Sequence, residues 1–302
     1  NLYRATLLDC AFPKTNLKGA RMDAMKVSDR ADFSKADLTN ASIMDVDLTE
    51  ADFSDANLTN ANFTRSLMGS ANLSDATIVK TDFTACNLIN ADFSGVTLQD
   101  VNLEKAGLSR AIFKGTEFNN VNMVGADLSL TIFDDVDLSK VRLQKAQFAQ
   151  STVEDMNFNG QDLTEVVFDK GKVAGSRFEK AKLNGTSFFD TEVSKNFFKN
   201  AQMLKADFDG AYIFKSIFDN AELTKANFAS ANIESSAFTG AKMTGANFSG
   251  AVLKKVDFTN ADLTGMKINA DTKMDNVIFD GADLSNAKIE KFTAKRVFYN
   301  NQ

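Results

Sequence analysis

Every fifth residue from Phe33 to Ile268 is Phe, Leu, Ile, Met or Val, 48 consecutive positions without a gap. Few backbones accept such a period. An α-helix repeats its faces every 3.6 residues and a strand every 2, so neither holds one residue in five on a constant face. A short extended side followed by a corner does. If the large residue closes the side, the residue two before it points inward with it, and the residue between them points to water. The composition of these positions agrees: the one two before the centre is Ala in 24 of the 48 units, and the one immediately before it is most often Asp or Asn.

From Ala31 the chain runs ADFSK ADLTN ASIMD VDLTE ADFSD ANLTN ANFTR. In units such as Ala36-Asp37-Leu38-Thr39-Asn40, Ala56-Asn57-Leu58-Thr59-Asn60 and Ala261-Asp262-Leu263-Thr264-Gly265 it resembles the pentapeptide-repeat family, over nearly its whole length. The resemblance implies an all-β fold, a right-handed quadrilateral parallel β-helix of about 14–15 coils with four pentapeptides in each 20-residue coil. At a strand spacing of about 4.8 Å, the 12 coils of the unbroken run would extend roughly 58 Å.

The register slips twice by one residue, between Val27 and Phe33 (near 28–32) and between Ile268 and Met274 (near 269–273). Such slips fit bulges near the ends of a ladder. The chain therefore divides into one repeat solenoid over 1–290 and an atypical segment, 291–302. That segment carries Phe292, Val297, Phe298 and Tyr299 and is expected to fold over the last coil as a cap. At the other end Leu2, Leu7 and Phe12 already keep the spacing, so something outside this sequence is expected to cover that edge.

A 20-residue coil turns sequence into contacts. Phe148, Phe168, Phe188, Phe208, Phe228 and Phe248 should form one column, and Phe158, Phe178, Phe198, Phe218, Phe238 and Phe258 the opposite one. In the first half the rings shift to the other pair of sides, with Phe33, Phe53, Phe93, Phe113 and Phe133 opposite Phe63 and Phe83. Two rings and two aliphatic groups per layer would fill a narrow square tube at native density. Below the second column the inward spacers are Ser176, Asn196, Ser216 and Ser236, which must find hydrogen bonds and so predict a side-chain ladder. Met156, Gln161 and Gly171 stand where Ala is preferred and mark 156–171 as the weakest stretch.

No catalytic, metal or cofactor-binding residue emerges. The 302 residues include no His, which removes the commonest general base and the Ser-His and Cys-His pairs. Cys10 and Cys86 both fall at inward spacer positions, about 18 Å apart along the axis and beyond disulfide reach. Repeated aspartates such as Asp32, Asp37, Asp52 and Asp92 are corner residues, and flat sides offer no concave pocket to shift a carboxyl pKa. The net charge of −6 and pI near 4.9 exclude a basic nucleic-acid face. No apolar run approaches the length of a membrane span.

The informative residues are apolar ones at outward positions. Phe197 and Ile217 lie one coil apart, Tyr212 and Phe214 flank the neighbouring corner, and Ile112 and Ile132 form a second stacked pair near Leu130. Contiguous apolar patches mark interfaces. These seven residues are the candidate partner-binding surface of a non-enzymatic, rigid scaffold that binds other protein or a second copy through its flat faces, as a subunit of a larger assembly. The alternative comes from the resemblance: some members of the family imitate DNA and protect type II topoisomerases such as gyrase. Residues 1–140 carry 20 acids against 13 bases, with clusters at Asp45, Asp47, Glu50, Asp52, Asp55 and at Asp134, Asp135, Asp137. Lumenal chloroplast and cyanobacterial proteins share the repeat, so the thylakoid lumen and the bacterial cytoplasm are the compartments it suggests.

Overall fold

A computed structural model describes residues 1–8, 10–27, 30–133, 136–289 and 292–299. Among them there is no helix; the chain is a succession of short extended sides, corners and parallel ladders. It divides into two compact units, Asn1–Gln147 and Phe148–Gln302.

The corner explains the repeat. The carbonyl of most centres accepts an N–H from three residues on, as Phe33 does from Ala36 at 3.0 Å. The second corner residue is left-handed, with φ of 58° at both Lys35 and Asn40. That conformation costs a non-glycine residue about 1–2 kcal/mol. The residue before the centre offsets part of this cost. Asp32 Oδ1 accepts the Ser34 N–H at 2.9 Å, and Asp37 Oδ1 accepts both the N–H and the hydroxyl of Thr39, at 3.2 and 2.6 Å. Asp or Asn followed two residues later by Ser or Thr is therefore corner chemistry.

In the first unit, β1 (Thr6–Leu7) pairs with β2 (Lys26–Val27). A second ladder joins β3 (Ile78–Val79), β4 (Thr97–Gln99) and β5 (Glu117–Asn119). On the next side β6 (Val121–Asn122) pairs with β8 (Val141–Arg142), and β7 (Ile132–Phe133) lies between them in sequence. Most other sides make a single bridge per coil, at an offset of 20 residues as in Asp32↔Asp52 and of 21 across the slip, as in Arg21↔Ser42. The rings stack at centroid distances of 5.1 Å through Phe12, Phe33 and Phe53, and columns meet edge-on, Phe53 lying at 85° to Phe63.

In the second unit one continuous parallel ladder contains β9 (Thr152–Glu154), β10 (Lys172–Ala174), β11 (Glu192–Ser194), β12 (Tyr212–Phe214), β13 (Asn232–Glu234) and β14 (Val252–Lys254). After β15 (Lys267–Ile268) the offset rises to 21 at Val252↔Lys273, and the ladder continues in β16 (Lys273–Ile278). Beneath it, consecutive rings within each Phe column stack 4.6 Å apart at Phe218 and Phe238 and 5.0 Å apart at Phe208 and Phe228. The two columns touch edge-on, at 85° between Phe208 and Phe218.

Two expectations are corrected. β17 (Lys288–Ile289) pairs with β15, and β18 (Thr293–Phe298) pairs with β16 at the ordinary offset of 20. The described part of 291–302 thus adds a parallel rung instead of folding across the last coil. It can do so because Val297 and Phe298 repeat the apolar pair Val277 and Ile278 against which they lie; residues 291 and 300–302 fall outside the described residues. Cys10 is exposed, its thiol donating to the Leu8 carbonyl at 3.4 Å, whereas Cys86 is buried and donates to the Phe63 carbonyl at 2.7 Å. Burial pushes the Cys86 thiol up to about 12. A thiol reagent at pH 8 is therefore expected to modify one cysteine in the native protein and two in denaturant, measured by mass; rapid native modification at Cys86 would contradict the packing.

The spacer ladder has a definite geometry. At the corners after β9 to β12, the next inward N–H is satisfied by a side chain one coil on. Ser176 Oγ accepts from Met156 at 3.1 Å, Asn196 Oδ1 from Ser176 at 2.8 Å, Ser216 Oγ from Asn196 at 3.2 Å and Ser236 Oγ from Ser216 at 3.1 Å. Nearby, a Cβ built on Gly171 would lie 2.6 Å from the Ser151 carbonyl oxygen. Backbone must move to admit it, so Gly171→Ala should cost about 1–3 kcal/mol in denaturant unfolding, although Ala is the commonest residue at that position of the repeat. An unchanged midpoint would show that the coil relaxes freely.

Candidate functional site

Strongly perturbed groups are where chemistry is sought first. The exposed ones here are explained by corner hydrogen bonds, as from Ser139 to Asp137 and from Ser285 to Asp283, both of which lower the carboxyl, or by ion pairs along the coil axis. The Arg65 guanidinium, bonded to Asp45 at 2.6 Å, holds that carboxyl below its usual range. The bond from Lys254 lowers Glu234, and the bond to Glu154 raises Lys172. Among the described residues no group of three or more Cys, Asp or Glu side chains is placed to hold a metal ion. None of their helices, since there are none, is long and apolar enough to cross a membrane.

Three of the five acids in the first cluster of the first unit meet a base. Asp45 pairs with Arg65 at 2.6 Å, Glu50 with Arg30 at 2.6 Å and Asp55 with Lys35 at 3.8 Å, each one coil away. Asp47 and Asp52 accept corner N–H groups from Thr49 and Ser54. In the second cluster Asp137 accepts the Ser139 N–H at 2.8 Å, while Asp134 and Asp135 lie outside the described residues.

The apolar candidates form two surfaces, one on each unit. On the first unit Ile112, Leu130 and Ile132 line a single cavity of about 280 Å³, with Arg110 and Lys114 beside them. Ile132 is 71% and Ile112 48% exposed. On the second, Tyr212 and Phe214 stack on β12 with ring centroids 6.1 Å apart, and Lys215 Nζ sits 4.9 Å from the Phe214 centroid. Their rings bound a hollow of about 430 Å³ that also meets Glu154, Lys172, Glu192 and Lys195. Tyr212 is 39% exposed and Phe214 half-buried. Phe197, exposed, bridges to half-buried Ile217 on the side that follows the Lys195 and Lys215 corners. The structure thus brings together two pairs on successive sides of the coil.

Sequence reasoning passed over Arg110, Lys114 and Lys215. Each is a corner residue, where Lys is common, and only the side-chain direction reveals that these turn toward an apolar neighbour. It also passed over Phe189, an exposed corner ring with Lys170 Nζ 5.9 Å from its centroid.

The sequence profile of the pentapeptide repeat region matches residues 36–113, 191–268 and 211–289, together more than half of the chain. The chain belongs to the pentapeptide repeat family. A second profile, of pentapeptide repeats in eight copies, matches this pentapeptide repeat protein at 97–135 and 111–148. No curated protein matches it in sequence. Among solved structures it is similar to HetL, a pentapeptide repeat protein involved in heterocyst differentiation regulation from the cyanobacterium Nostoc. The identity is 20%, over 88% of this chain and 90% of that one, with a TM-score of 0.35. It is also similar to a pentapeptide repeat protein from the Arabidopsis thaliana thylakoid lumen, at 26% identity over 41% and 72% with a TM-score of 0.27. A third likeness is to QnrB1, a plasmid-mediated fluoroquinolone resistance protein, at 20% identity over 70% and 88% with a TM-score of 0.31. At these TM-scores the likenesses carry no argument about function.

Proposed function

We propose that this pentapeptide repeat protein is a non-catalytic scaffold that holds another protein against its flat faces, with the sheet face of β9 to β14 as the principal surface. One observation supports the reading above others: Tyr212, exposed, and Phe214, half-buried, stack on each other in a face whose other outward residues are mostly charged or polar. Along one outward column the residues are Thr152, Lys172, Glu192, Tyr212, Asn232 and Val252; along the other they are Glu154, Ala174, Ser194, Phe214, Glu234 and Lys254. Charged pairs such as Lys172–Glu154 and Lys254–Glu234 flank the rings. An aromatic centre with a polar rim is the arrangement that concentrates binding energy at protein interfaces.

The DNA-imitating, gyrase-binding alternative requires an open negative surface, and the pairing of Asp45, Glu50 and Asp55 with bases works against it. The test is a double variant, Phe214→Ser with Ile217→Ser, in the full chain. The scaffold reading expects an unchanged circular dichroism spectrum and at least tenfold less of the co-purifying partner. Retention of an unchanged native complex would overturn it, and protection of gyrase in a supercoiling assay would favour the alternative.

A further inference from the structure

The outward column of one side in the first unit runs Asp32, Asp52, Asn72 and Asp92, bridged coil to coil, and then changes character at Ile112. Ile132 follows 20 residues later, and the two isoleucines share their cavity of about 280 Å³ with Leu130. Apolar surface left in water at positions that elsewhere carry Asp or Asn costs free energy in proportion to its area, and a partner recovers it. Two cations define which partner. Arg110 and Lys114 line the cavity from the corners on either side of Ile112, and neither makes an ion pair or a side-chain hydrogen bond among the described residues. By contrast Arg30, Lys35 and Arg65 each meet an acid one coil away. The nearby Asp92 does not line the cavity and accepts the Ser94 N–H at 2.9 Å.

We propose that this cavity binds an acidic segment of a partner protein, an aliphatic side chain seating against Ile112, Leu130 and Ile132 while flanking carboxylates meet Arg110 and Lys114. The proposal rests on the protein-binding reading above and adds the chemistry of what is bound. A charge-assisted bond from each cation sets the orientation, and the aliphatic contact supplies the affinity.

The test measures fluorescence anisotropy of a fluorescein-labelled hexapeptide, Asp-Glu-Ile-Leu-Glu-Asp, against the full chain at low salt. Binding is expected to weaken about tenfold in Ile132→Ser, whose side chain is exposed and whose loss leaves the circular dichroism unchanged. It should weaken at least fivefold in the Arg110→Glu, Lys114→Glu double variant. Peptides with Ser-Ser in place of Ile-Leu, or Lys in place of the acids, should bind at least tenfold more weakly. Equal binding by the lysine peptide, no effect of Ile132→Ser, absence of binding by the acidic peptide, or equally tight binding of a short oligothymidylate would each overturn the proposal. Any of these with a native complex still sensitive to Phe214→Ser and Ile217→Ser leaves the scaffold reading standing and removes only this site.

Discussion

Phe208→Ala is expected to destabilise the second unit by about 3–5 kcal/mol, the range for truncating a buried aromatic side chain. Phe208 is fully buried, stacked 4.8 Å from Phe188 and 5.0 Å from Phe228, with Phe218 edge-on at 5.8 Å. Truncation removes apolar burial and three ring contacts at once. The tube cannot collapse around the void, because its sides are fixed by ladder bonds above and below. In a stack where each coil touches only its neighbours, the loss is also local. Hydrogen exchange should accelerate most in the coils from Phe188 to Phe228, and the denaturant midpoint should fall. A midpoint change equivalent to less than about 1 kcal/mol would contradict a rigid, close-packed column.

Asn196→Leu is the second large expected effect, about 2–5 kcal/mol, although Leu restores apolar bulk. Asn196 accepts the Ser176 N–H at 2.8 Å and donates its amide to the Val173 carbonyl at 2.7 Å. Leucine can do neither. It would leave one backbone donor and one acceptor buried and unmet, at about 1–3 kcal/mol each. Asn196→Ser should recover part of the loss, since Ser216 and Ser236 accept the equivalent N–H groups in the coils that follow. If Leu and Ser behave alike in chemical denaturation, packing volume governs the site and the ladder is incidental.

The core of both units was legible because a period of five leaves a chain few choices. Once Phe33 and Ala31 point inward, the 20-residue offset fixes which rings stack and which spacers must bond to each other. The parallel rung at Thr293–Phe298 was obscured because its spacers lose the Ala-Asp signature, while Val297 and Phe298 still repeat Val277 and Ile278. Cys10 is exposed, which its spacer position does not encode. At the surface, the outward Ile112, Ile132 and Tyr212 stood out as departures from Asp and Asn. Their cationic neighbours did not, because Arg110, Lys114 and Lys215 occupy ordinary corner positions and only the direction of a long side chain distinguishes a ligand from a solvated charge. The same freedom hid the ion pairs of Asp45, Glu50 and Asp55 with bases one coil away.

The claim that the aromatic face of β12 meets another protein is tested most directly by site-specific photocrosslinking. A benzoylphenylalanine replaces Phe214 in one variant of the full chain and Lys242, an exposed residue of a different side, in another. Both are irradiated in native extract. The expected result is a discrete crosslinked protein from position 214 that is absent from position 242 and is lost when Tyr212 and Ile217 are changed to Ser. Equal, diffuse labelling at the two positions would contradict the account.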